Sequence, residues 1–107
     1  MVKVFNMVSD RGNPVASQFV IHDESGKVYF QSYNSLIAEY DWNTNRLTLG
    51  RHFDFSVTTV KYLHKWVNKY VPREIRYAID AAPRDSYGTK LWYCITAGII
   101  EYRGDMV

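Results

Sequence analysis

Residues 53–70 read FDFSVTTVKYLHKWVNKY, and within them the spacing of apolar residues changes from alternation to a helical period. Val57, Val60, Leu63, Val67 and Tyr70 recur at intervals of three and four, while Lys61, Lys65 and Lys69 fall on another face, so an amphipathic helix is predicted. Ser56 suits the N-cap, because its hydroxyl can accept from the amide of Thr58 or Thr59, and Phe55 and Val60 take the positions of a hydrophobic staple. Working outward from this helix, the chain divides into a strand-rich first half and a mixed second half.

Upstream, residues 2–8, 16–22, 27–33, 36–40 and 46–49 have strand character, separated by concentrated turn chemistry. The segment Asp10-Arg11-Gly12-Asn13-Pro14 favours turn dihedrals, Asp23-Glu24-Ser25-Gly26 suits a hairpin loop, and the asparagines of Asp41-Trp42-Asn43-Thr44-Asn45 tolerate left-handed conformations. Downstream, Pro72 disfavours helical geometry at Val71 and opens a second helix over 73–82, which buries Ile75, Ala78 and Ile79 and stops at Pro83. Residues 91–102, LWYCITAGIIEY, are nearly all apolar and read as a strand buried on both faces with a bend at Gly98; a buried helix is the alternative that periodicity leaves open. The expected fold is α+β: an antiparallel β-meander of four to five strands, two helices packed on one face and a buried C-terminal strand, in one domain over 1–107.

With 107 residues, 47% of them hydrophobic, the chain suits a single core. Nine tyrosines supply rigid amphipathic surface suited to cores and interfaces alike. The single cysteine, Cys94, excludes an intramolecular disulfide and fits a reducing compartment. No run approaches the ~20 apolar residues that span a bilayer, so a soluble, cytoplasmic protein without membrane contact is expected. The net charge of +2 is too small and of the wrong sign for a DNA-mimicking polyanion. Basic residues concentrate in the middle of the chain, where Arg46, Arg51, Lys61, Lys65, Lys69, Arg73 and Arg76 outnumber Asp54 and Glu74.

Two segments carry a family resemblance: Phe30-Gln31-Ser32-Tyr33, and Phe53-Asp54-Phe55-Ser56-Val57-Thr58-Thr59-Val60-Lys61-Tyr62. They resemble a small, uncharacterised protein family of bacteriophages and prophages of Gram-positive hosts. The resemblance implies a phage accessory protein acting in an infected bacterium and supplies no activity or site residues.

The residues themselves frame no catalytic constellation. Cys94 lies in the most apolar stretch, where a thiol is poorly accessible, and no nucleophile elbow accompanies His22, His52 or His64. Three histidines and a cysteine lack metal-ligand spacing, so no metal and no cofactor are assigned. The binding candidates are Lys61, Tyr62, Lys65, Trp66, Lys69 and Tyr70, two parallel stripes on the predicted helix, with Arg73 and Arg76 beyond it. A plainer account of the same residues has Tyr62 and Trp66 bordering the core while the lysines form a solvated face. The function expected is a non-enzymatic inhibitor that docks on a host or phage protein, such as a CRISPR effector in a nucleoprotein defence complex. The alternative is a nucleic-acid-binding accessory protein of phage replication or transcription, with lysines on phosphates and rings on bases.

Overall fold

Short polar loops turn the first half of the chain back on itself, and each does so through a side chain or a backbone angle the sequence supplies. In the loop after Asp23, the Asp23 carboxylate accepts from the Ser25 amide at 2.9 Å and Gly26 takes φ +91°. In the loop after Asp41, the same arrangement recurs with Asn43 at 2.9 Å, and Asn45 takes φ +55°. The two loops also clasp each other, since Asn43 Nδ2 donates to the Ser25 carbonyl at 2.7 Å.

In this computed structural model, which describes residues 2–107, the strands so formed are β1 (Lys3–Val8), β2 (Pro14–Asp23), β3 (Lys27–Ser32), β4 (Ser35–Asp41) and β5 (Arg46–Gly50). They form an antiparallel meander in chain order. Three helices follow, α1 (Val57–Tyr70), α2 (Arg73–Asp80) and α3 (Tyr87–Thr96), and the chain then returns to the sheet as β6 (Glu101–Arg103), parallel to β5. A parallel neighbour requires a crossover, and the three helices are that crossover.

One row of residues runs across all the strands on the helical side: Phe5, Val20, Phe30, Ala38, Leu49 and Tyr102 are consecutive cross-strand partners. Its central members are buried, whereas Phe5 and Tyr102 at the two ends are 53% and 38% exposed. The reason is the width of the helical layer, whose principal helix α1 packs on β3 and β4 and stacks Trp66 over Phe30 at a centroid distance of 6.4 Å. The opposite face of the sheet carries charge: the buried Glu39 carboxylate lies 4.0 Å from Lys27 and 3.7 Å from Arg103, and Arg46 lies 3.7 Å from Glu101. The pairs made by Glu101 and Arg103 fasten the short β6 to the meander.

The α+β meander with helices on one face is as expected, but the C-terminal third is corrected in two ways. Among the described residues there are three helices instead of two, and residues 91–102 are not one buried strand. Their first part belongs to α3, and only Glu101–Arg103 is strand, exposed at a sheet edge. A capping box decides the start of α3, with Ser86 Oγ accepting from the Thr89 amide at 3.2 Å and Thr89 Oγ1 from the Ser86 amide at 3.3 Å. Gly98, read as a bend, is the left-handed residue that ends the helix: it has φ +80°, its amide bonds Ile95 O, and the Ile99 amide bonds Cys94 O.

Candidate functional site

Ser56 caps α1 as the sequence suggests, its Oγ accepting from the Thr59 amide at 3.1 Å. The buried face of the helix is rotated from the one expected, consisting of Thr59, Tyr62, Leu63, Trp66 and Val67. Val57 is 88% exposed and Phe55 73% exposed, so Phe55 faces solvent beside the His52 ring and does not bury itself as a staple.

This rotation separates the candidate binding residues into two groups. Trp66 and Tyr62 are core residues, which corrects their expected role as contact rings. The ammonium groups of Lys61 and Lys65 both lie 5.5 Å from the centroid of the Tyr62 ring, so the two lysines fold over a ring that α1 has already turned inward. Arg73 is exposed on α2, and Arg76 turns back to donate from Nε to the Val71 carbonyl at 3.0 Å, finishing the C-terminal end of α1. Neither arginine reaches the lysine stripe's groove.

Lys65, Lys69 and Tyr70 do share a site. Together with Phe5, Met7, Val20 and His22 they line a groove of about 480 Å³ between α1 and β1. Its floor is aromatic: His22 meets Phe5 edge-to-face at 5.9 Å and Tyr70 at 5.5 Å. Its rim is cationic, with Lys69 Nζ 5.5 Å from the Tyr70 ring and Lys65 paired to Asp10. That hydrogen bond, with the Lys65 charge behind it, holds the Asp10 carboxyl below its ordinary range. Sequence reasoning missed the β1 half of this groove. The signal was present in VKVFNMV, where apolar residues stand at adjacent positions and not only on alternate ones, and whose Val4, Phe5 and Val8 are 57%, 53% and 51% exposed.

The two motif segments meet at the other end of α1. Tyr33, Asn34, His52 and Phe55 line a depression of about 310 Å³ over Ser32 and Thr59. Tyr33 has φ +55°, held by its amide bonding Ser17 O at 2.7 Å and by Gln31 Nε2 donating to its carbonyl at 2.9 Å.

The remaining chemistry-bearing residues are dispersed. His64 stacks on Tyr87 at 3.9 Å, and Cys94 is fully buried, with burial pushing its thiol pKa up. Among the described residues, no group of three or more His, Cys, Asp and Glu side chains is placed to hold a metal ion. No helix among them is long and apolar enough to cross a membrane.

No curated protein and no solved structure matches the chain. Residues 2–81, from β1 through α2, match a protein family described as of unknown function, DUF8033. The match takes in both halves of the groove and both motif segments and stops short of α3 and β6, and the chain belongs to that family of unknown function.

Proposed function

We propose that the protein is a non-enzymatic binding protein that docks on another protein through the groove between β1 and α1. The observation that carries this is the exposure of Phe5 and Val8 on β1 beside the cationic rim of Lys65 and Lys69. Exposed apolar side chains bordered by charge are the composition of a recognition surface, with the ring and aliphatic groups as anchors and the lysines guiding approach. The resemblance of the two motif segments to phage and prophage proteins extends the proposal to a host target, a defence component such as a CRISPR effector being the instance to examine. Binding to nucleic acid is less well supported. Tyr62 and Trp66 are buried, so of the three rings expected to stack on bases only Tyr70 lines the groove beside the lysines.

The test is affinity capture from nuclease-treated bacterial lysate at moderate salt, comparing the native protein with a Lys61→Glu/Lys65→Glu/Lys69→Glu variant. A discrete protein held by the first and lost by the second supports the proposal. Capture that disappears with nuclease moves the assignment to nucleic acid, and no stoichiometric protein under any condition ends it.

A further inference from the structure

The sheet has two edges, and they are treated differently. β6 is three residues long and flanks its one tyrosine with Glu101 and Arg103, both in ion pairs. Shortness and charge are the usual protection of a strand edge against further pairing. At the other end of the sheet, β1 is six residues long, has Lys3 as its one charged residue and contains no proline. Among the described residues no strand pairs with the outer side of its backbone, and its apolar side chains project on both faces. On the helical side the layer stops short, so that Phe5 opens into the groove and lies beside Lys65, Lys69 and Tyr70.

These features select an occupant. Unpaired amides and carbonyls in a row are satisfied by another extended backbone, the mode of β-strand addition. The groove's cations select its charge: Lys65 and Lys69 line it, Lys61 continues the stripe, and Asp10 is already held by Lys65. A second copy of this chain paired edge to edge would bring one lysine stripe towards another, which like-charge repulsion opposes. We infer that β1 accepts an extended, acidic segment of a partner protein as an additional strand, with an apolar side chain set against Phe5 and the His22 ring and carboxylates on Lys65 and Lys69. This rests on the protein-binding proposal and names the partner's chemistry.

The probes are two acetylated twelve-residue peptides, one repeating Val-Thr-Glu-Thr (the Val-Glu peptide) and one repeating Val-Thr-Lys-Thr (the Val-Lys peptide), so that apolar and charged side chains share one face of a strand, titrated into the isotope-labelled full chain with amide exchange read residue by residue. The Val-Glu peptide should slow exchange along Lys3–Val8 and bind about tenfold more weakly to a Lys65→Glu/Lys69→Glu variant, the scale of two surface ion pairs reversed. Its affinity should fall with added salt, as expected for exposed charge pairs. The inference is overturned by absent protection in β1, by equal binding of the two peptides, or by β1 protection that appears with protein concentration alone, which would identify a second copy at the edge. Val4→Glu, which sets a carboxylate on the free edge against an acidic strand, separates the two levels of the argument, with its melting temperature checked against the native chain. If a captured partner binds that variant undiminished, the added strand is wrong while the protein-binding proposal stands.

Discussion

Ser32 and Thr59, 27 positions apart, join their hydroxyls in a buried hydrogen bond of 3.0 Å. It ties the end of β3 to the first turn of α1, and Thr59 Oγ1 is also 3.0 Å from the capping Ser56 Oγ. The two motif segments therefore meet through a polar contact inside the molecule, and their pattern is first of all a determinant of where α1 starts on the sheet.

Replacing Thr59 with valine keeps the shape and removes both hydroxyl contacts, leaving Ser32 Oγ buried without its partner. We expect a loss of about 1–3 kcal/mol, the cost of an orphaned buried polar group. Ser32→Ala should cost less, because Thr59 keeps Ser56. Urea unfolding of the two variants measures both, and equal losses would show that the bond contributes nothing specific.

Gly50 is the point where the C-terminal segment crosses the sheet. A Cβ there would sit 2.5 Å from the Met106 carbonyl oxygen and 2.9 Å from that of Leu36, both backbone atoms that cannot swing aside. Gly50→Ala should destabilise by about 1–3 kcal/mol through overpacking. Gly88 lies in α3 with open space around its Cβ position, so Gly88→Ala should stabilise by up to about 1 kcal/mol through helix propensity. Thermal melts that move in the same direction for both would contradict this account.

Among the described residues the buried Tyr87 hydroxyl has no hydrogen-bond partner, and burial, with the Asp80 charge adding to it, pushes its pKa well above the ordinary tyrosine value. A folded-state pKa raised above that of the unfolded chain means stability is intact below pH ~10, where unfolded tyrosine is still protonated, and declines as pH rises beyond it. Tyr87→Phe should be neutral or slightly stabilising at pH ~7 and should flatten the alkaline decline. Part of the slope will remain, since burial also raises Tyr29, Tyr40 and Cys94. Denaturation midpoints at neutral and alkaline pH decide the matter; an unchanged slope in the variant would assign the decline elsewhere.

Trp66 in α1 and Phe55, just before its cap, should respond differently to truncation. Trp66→Ala removes a fully buried ring stacked on Phe30 and should cost about 3–5 kcal/mol. Phe55→Ser and Val57→Ser change exposed positions and should stay within about 0.5 kcal/mol of the native chain. A stability loss at Phe55 comparable to that at Trp66 would mean that the aromatic packs in solution.

Cys94 should resist a thiol reagent in the folded protein and react at the rate of unfolding, because its side chain is fully buried. Fast labelling in native buffer would require local opening of α3.

The sequence by itself determined the meander and the first two helices. Asp23 to Gly26 and Asp41 to Asn45 contain their own turn chemistry, and Ser56 and Pro72 mark helix starts through interactions with neighbours a few residues away. Even α3 left traces, since Tyr87, Leu91, Cys94 and Ile95 have helical spacing, but Gly88, the β-branched Ile95 and Thr96 and the glycine at 98 resemble a bent strand until the capping box is seen. What only the tertiary structure decided was which side of α1 faces the sheet. Val57 and Trp66 are both apolar and both compatible with a helical stripe, and the choice falls to Trp66 because Phe30 of β3 offers it a ring to stack on, while nothing covers Val57. The groove follows from the same cause. Phe5 is as apolar as any core residue, yet it is open because the helical layer is narrower than the sheet, a relation between distant elements that no local pattern records.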